Sequence, residues 1–166
     1  MSGLEHADLD RRFGGLRRLY GPQGYERLRQ ARFAVVGVGG VGSWAVEALA
    51  RSGVAHLTLV DLDHVSPSNI NRQIHAQDAT LGQAKAEAMR ERIAGFHPGC
   101  VVDVIDDFVT PDNWPALLHS VSGREGLPSA VIDACDQVKA KVAMAQWALD
   151  NPVGFITVGA AGGKRL

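Results

Sequence analysis

The chain is 166 residues long, enough for one domain with a buried core, and its 46% hydrophobic content is ordinary for a globular fold. Its formal net charge is -1, so the charge of the whole molecule points to neither a nucleic acid nor a membrane surface as partner. No apolar run reaches the roughly 18 residues of a membrane helix, and the opening MSGLEHADLDRRFGG lacks a signal-peptide core. A soluble, cytoplasmic protein is expected, and Cys100 and Cys135, far apart and in no Cys-x-x-Cys pair, suit a reduced compartment.

In chain order, residues 1–31 predict a broken helical arm. Leu16, Leu19, Tyr20, Tyr25 and Leu28 recur at loosely helical spacing, interrupted by Gly14, Gly15, Gly21, Pro22 and Gly24. RFAVVGV then predicts a buried strand, VGSWAVEALARSG a helix stopped by Gly53, and HLTLVD a second strand. After a polar loop, GQAKAEAMRERIAGF reads as a helix and CVVDVID as a third strand. TPDNWPALLHS reads as a short helix with Thr110 as its cap and Pro111 in its first position. GREGLPS is a loop, AVIDAC a fourth strand, DQVKAKVAMAQWALDN a helix, and VGFITVGAA a fifth strand.

Strands that alternate with helices, each a short continuous apolar run, predict an α/β, Rossmann-like, doubly wound and mostly parallel sheet with both faces covered. The expected organisation is an arginine-rich helical arm over 1–31 and a nucleotide-binding domain over 32–166. The sequence stops just past a strand end at GAAGGKRL, so that domain is expected to be truncated, with a C-terminal half missing.

GVGGVG, Gly37 to Gly42, follows a strand and opens a helix, which is the context a phosphate loop needs. Gly37 permits the tight turn, Gly39 and Gly40 let phosphate oxygens reach the backbone, and Gly42 lets the helix pack closely. Free N–H groups at the positive helix end favour an anion. Asp61 ends the second strand, 24 positions after Gly37, where its carboxylate can accept hydrogen bonds from ribose hydroxyls. ATP and NAD satisfy these contacts equally.

The continuation SNINRQ separates them. A dinucleotide has its pyrophosphate held by the glycine loop and little use for Asn69 and Arg72 beyond it. A triphosphate cleaved between its α and β phosphates needs cationic donors for the leaving pyrophosphate. Arg72 offers a bidentate fork, Lys85 a point charge from the start of the next helix, and Asn69 an uncharged contact. Asp136, past the fourth strand, lies where open parallel sheets bind ligands and suits a magnesium ion shared with phosphate oxygens and water; capping the next helix is the plainer reading. Asp133 is expected to be structural.

GVGGVG, LVDLD, SNINRQ, Lys85 in GQAKAEAM, and VIDACD together resemble the ubiquitin-activating-enzyme-like superfamily, which includes the bacterial adenylyltransferases of sulfur-carrier proteins. RRFGGLRRLYG, GGVGSWAVEALARSG, NINRQIHA and DDFVTPDN look most like its tRNA threonylcarbamoyladenosine dehydratase branch. The resemblance implies adenylation of a threonyl carboxylate on tRNA by MgATP, followed by cyclising loss of AMP. It implies ATP and Mg2+ as cofactors, a homodimer, tRNA as substrate, and sulfur-transfer or cysteine desulfurase proteins as possible partners. It assigns Asp61 to the ribose, Asn69, Arg72 and Lys85 to the phosphates, and Asp136 to the metal. An N-terminal arginine that reaches ATP, often from the partner subunit, corresponds to Arg18, with Arg17 and Arg12 as alternatives.

Plainer expectations stand beside these. Cys100 and Cys135 pack as small apolar groups, with no nucleophilic role. Trp44 and Trp147 belong to the core or a subunit interface, His64 and His75 to the surface, and Asp106 and Asp107 to loop hydrogen bonds. Arg11, Arg12, Arg17, Arg18, Arg27, Arg29 and Arg32 outnumber Glu5, Asp8, Asp10 and Glu26, which fits an RNA partner or a solvated helix face equally. The alternatives are an adenylyltransferase for a ubiquitin-like sulfur carrier, an NAD-dependent oxidoreductase, and a non-catalytic nucleotide sensor.

Overall fold

The computed structural model describes residues 8–120 and 126–159. Five parallel strands form one sheet: β1 (Arg32–Val36), β2 (His56–Val60), β3 (Val101–Ile105), β4 (Ala130–Asp133) and β5 (Gly154–Thr157). Their spatial order is β3-β2-β1-β4-β5, the doubly wound arrangement expected from the alternation of elements. The chain winds outward from β1 in one direction through β2 and β3, then restarts beside β1 with β4. The strand order therefore reverses between β1 and β4, and a crevice opens there at the carboxyl ends of the strands.

The two-residue strand period divides the core between the faces of the sheet. Val35, Leu57 and Leu59 pack with Val46, Ala50, Met89 and Ile93, under α3 (Gly42–Arg51) and α4 (Lys85–Ala94). Ala34, Val36 and Val131 pack with Ala140 and Met144 of α5 (Val138–Leu149), and with Trp114 and Leu117. Each fully buried side chain of this size contributes roughly 1.5–3 kcal/mol, which accounts for the continuous apolar strands. No helix among the described residues is long and apolar enough to cross a membrane.

The first helices, α1 (Leu9–Phe13) and α2 (Arg17–Gln30), are separated by a short 3-10 turn, and Gly21 breaks α2 with φ +70°. They attach by Phe13, which is buried against His97 and Gly53, and by Arg12 and Arg29, which donate to the carbonyls of Phe96 and Gly53. These anchors precede β2 and β3, so this segment sits at the amino edge of the sheet, opposite the crevice.

The helix expected from Thr110 does not propagate. Thr110 Oγ1 accepts from the Asn113 backbone N–H at 3.2 Å as a cap should, but only a 3-10 turn, Ala116–His119, follows. Pro115 has no N–H with which to extend an α-helix. Parts of GREGLPS and of VGFITVGAA fall outside the described residues.

Asp133, at the end of β4, has no exposed surface and joins three elements. It accepts from Lys141 Nζ of α5 at 2.9 Å and Thr157 Oγ1 of β5 at 2.6 Å, while Lys141 also donates to the Val158 carbonyl at 2.8 Å. Asp133 is structural, as expected. Lys141→Met leaves a buried carboxylate without its counter-charge and is expected to cost roughly 3–5 kcal/mol in urea unfolding. Asp133→Asn in the same chain should recover a large part of that loss.

Candidate functional site

The glycine turn forms because two positions have no room for a side chain. Gly37 has φ +88°, and a Cβ there would lie 2.8 Å from the Ala134 carbonyl oxygen at the exit of β4. At Gly42 a Cβ would lie 1.7 Å from the Gly37 carbonyl oxygen, so the start of α3 is folded directly onto the turn before it. A Cβ at Gly39, by contrast, would meet only Gln73 Nε2 at 3.8 Å, which leaves that stretch of backbone open to the crevice. No side chain caps the start of α3; the Ser43 N–H is taken by the Gly39 carbonyl at 3.0 Å, which leaves the amides of Gly40, Val41 and Gly42 to an anion.

Asp61 ties this loop to the end of β2. Its Oδ2 accepts the Val38 N–H at 2.6 Å and its Oδ1 the Asp63 N–H at 2.8 Å, leaving lone pairs for further donors. Burial raises its pKa above the ordinary carboxylate value, against the lowering effect of those N–H groups and of Lys85. Gly37, Gly39, Gly40, Asp61, Asn69, Arg72, Lys85 and Asp136 all line one cleft of about 630 Å³, whereas Gly42 does not line it and packs behind the turn. That size is within the range of small-molecule sites.

Lys85 is not the solvated helix charge that its sequence position allows. It is 6% exposed, lies at the first position of α4, and holds its Nζ 3.0 Å from Asp63 Oδ2 at the cleft wall. Asn69 is buried, and its Oδ1 accepts the Ser66 N–H at 2.9 Å, which leaves the amide NH2 as its donor. Arg72 is exposed; its Nη1 donates to the Ser68 carbonyl at 2.7 Å and to Asn71 Oδ1 at 3.0 Å. Its aliphatic stem lies over Gly40.

Asp136 is exposed at the cleft edge, and the start of α5 has no side-chain cap, so the capping role does not apply. Among the described residues no cluster of three metal-ligating side chains exists. A single carboxylate at a phosphate site fits magnesium, which takes most of its ligands from phosphate and water. Arg18 is exposed and does not line this cleft, and neither do Arg17 and Arg12.

Several cleft residues were not singled out from sequence. Asp63 pairs with Lys85; Gln73 is 5% exposed with its Oε1 unpartnered; Phe108 and Val109 follow β3 and supply an apolar wall. Asp107, expected as a loop hydrogen-bonding group, accepts from the Phe108 N–H at 2.7 Å and also lines the cleft. His64 is exposed as expected, but His75 is 1% exposed, with both ring nitrogens unpartnered.

The tryptophans divide. Trp147 is half-buried edge-on to Trp114, whereas Trp44 is not in the core: it is 52% exposed and donates its indole N–H to the Arg72 carbonyl at 2.9 Å. Both cysteines pack against the core. Burial pushes the Cys100 thiol to about 12, and burial with the Asp133 hydrogen bond pushes Cys135 to about 11.

Two measurements check this geometry. Gly42→Ala forces a Cβ into backbone and is expected to cost about 2 kcal/mol or more in thermal unfolding. Burial, with Lys85 and Arg92 nearby, lowers the His75 pKa from 6.5 to about 4. The unfolded chain therefore binds a proton that the folded chain refuses, and stability is lost as pH falls from 6.5 toward about 4. His97, lowered by burial and by Arg29, acts in the same direction. Replacing His75 by Phe is expected to shrink the acid loss by up to about 3 kcal/mol in urea titrations at pH 7 and pH 4.5.

Comparison with known proteins locates this cleft within a family. The ThiF family model matches residues 11–164. The chain is 47% identical over 157 residues to tRNA threonylcarbamoyladenosine dehydratase of Haemophilus influenzae, covering 95% of this chain and 58% of that protein. It is 38% identical over 119 residues to molybdopterin-synthase adenylyltransferase of Salmonella typhimurium, covering 72% of this chain and 45% of that one. Among solved structures, E. coli tRNA N6-threonylcarbamoyladenosine dehydratase in complex with ATP superposes with TM-score 0.86 at 46% identity, over 95% of this chain and 62% of that one. Its complex with AMP gives 0.87 at 45% identity, over 99% and 63%. The chain thus spans less than two thirds of the length of these relatives. Over the whole of the described sheet and its glycine turn, it belongs to the ThiF family.

Proposed function

We propose that the chain is the ATP-binding portion of an enzyme that adenylates the threonyl carboxylate of threonylcarbamoyladenosine in tRNA and lets the product cyclise with loss of water. The observation that carries this reading is the convergence of Arg72, buried Lys85 and the uncapped start of α3 on one cleft. That is more positive character than a dinucleotide pyrophosphate requires, and it suits a triphosphate whose pyrophosphate must leave. The names of the tRNA threonylcarbamoyladenosine dehydratase relatives support the tRNA substrate.

In this reading Asp61 accepts the ribose hydroxyls, and the backbone of Gly37, Gly39 and Gly40 lies along the α-phosphate, with Gly42 holding the turn against α3. Asn69, Arg72 and Lys85 hold the β and γ phosphates. The substrate carboxylate attacks the α-phosphorus, the bond to the bridging oxygen breaks, and pyrophosphate departs with its charge on Arg72 and Lys85. Internal attack on the activated acyl carbon then expels AMP. Asp136 would hold Mg2+, which when bound offsets part of the triphosphate charge. Thiols held at about 12 and about 11 are protonated at neutral pH, which agrees with a reaction that uses no cysteine nucleophile.

Residues 1–31 act as an arm and 32–166 as the nucleotide-binding domain. Arg18, exposed on a helix whose segment is anchored at the far edge of the sheet, would reach ATP from the partner of a homodimer. The setting is cytoplasmic, and sulfur-transfer or cysteine desulfurase proteins are candidate partners. The likeness to molybdopterin-synthase adenylyltransferase supports a second reading, in which the carboxylate is the C-terminus of a ubiquitin-like sulfur carrier.

Incubation with MgATP and threonylcarbamoyladenosine-containing tRNA is expected to yield a nucleoside lighter by one water, with AMP and pyrophosphate. Unchanged tRNA beside an adenylated carrier C-terminus would favour the second reading. Arg72→Ala and Asp136→Ala are each expected to lower product formation by roughly 100-fold or more with an unaltered circular dichroism spectrum. Near-normal turnover in either removes its assigned role.

A further inference from the structure

Trp44 is a large aromatic residue that the core does not use. It lies in the first turn of α3, two residues past the glycine turn, with half of its surface in water. Burial does not explain its place, but its polar handle does: the indole N–H donates at 2.9 Å to the backbone carbonyl of Arg72, 28 residues away in sequence. Arg72 is gripped elsewhere too. Its side-chain Cγ and Cδ would sit 3.4 Å from a Cβ at Gly40, and its backbone N–H and that of Gln73 both donate to the Asn69 carbonyl, at 3.1 and 2.9 Å.

We propose that Trp44 is a positioning residue that latches the backbone of Arg72 to the first turn of α3. The inference rests on the reading of Arg72 as a phosphate-side cation. The latch fixes the distance between two groups that act on one triphosphate, the N-terminal N–H groups of α3 and the Arg72 guanidinium. Stem and carbonyl are both held, so the guanidinium swings about a fixed base. It can leave the Ser68 carbonyl and Asn71 for a phosphate without moving the loop. Without the latch the loop from Ser68 to Gln73 loses its long-range tie through Trp44. Charge that must meet the departing pyrophosphate is then misplaced, an effect that falls more heavily on the transition state, where that charge develops, than on bound ATP.

Trp44→Phe in the intact enzyme tests this, because an aromatic ring remains while the indole N–H is lost with the pyrrole part of the ring. ATP–pyrophosphate exchange, driven by the carboxylate substrate, is expected to show kcat reduced about 2- to 10-fold with KM for ATP changed less than about twofold. Hydrogen–deuterium exchange of the Arg72 and Gln73 amides should quicken, with the thermal midpoint within a few degrees of the parent. Unchanged kcat together with unchanged amide protection overturns the proposal, as does a lowered thermal midpoint with unaltered kcat, which marks a purely structural role. A parent enzyme with no exchange activity refutes the reading of the cleft instead, and amide protection then decides the latch alone.

Discussion

The start of α3 lies so close to the end of β1 that Gly42 has no space for even a methyl group, its would-be Cβ falling 1.7 Å from the Gly37 carbonyl. The cleft depends on that contact. It turns the chain sharply enough for α3 to point its uncapped end across the carboxyl edge of the sheet, and it brings Val38 N–H within 2.6 Å of Asp61. A side chain at either glycine pushes the turn off the exit of β4, where Ala134 and Cys135 are already within 3 Å of a Cβ at Gly37. Strand order then supplies the rest, because reversal between β1 and β4 leaves the crevice open at this point.

Charge is arranged around this backbone frame in two layers. The inner one is structural: Asp133 and Lys141 are a well-buried pair with added bonds from Thr157 and to Val158, and they hold the wall that carries Asp136. The outer one faces the cleft. Lys85 is buried and paired with an Asp63 carboxylate that is 57% exposed, so water screens that pair and leaves it open to competition from an anion in the cleft. Arg72 is parked on a carbonyl and an amide, weaker partners than a phosphate.

What the sequence makes legible is what local rules govern. Five apolar runs, the glycine turn and Asp61 follow from periodicity and turn chemistry, and the structure has them in the expected order. What it hides is set by long-range packing. In α3 the buried stripe is Ser43, Val46, Glu47 and Ala50, a helical repeat whose polar members look like solvent positions; Glu47 is satisfied by Arg51 and by Nε and Nη2 of Arg92. Trp44 falls one residue off that stripe, so its hydrophobicity misleads and its N–H matters more than its ring. Lys85 shares a stripe with Met89 and Ile93 and is buried by it. His75 and Gln73 occupy a loop without periodicity, where nothing local signals burial. The helix expected from Thr110 fails because its capping signal is followed by Pro115.

The central claim is that the cleft is built for a triphosphate. Calorimetric titration of the protein with MgATP and, separately, with NAD tests it most directly. The account predicts saturable binding of MgATP that added pyrophosphate weakens by competition, and no measurable binding of NAD. Tight binding of NAD with none of MgATP would contradict it.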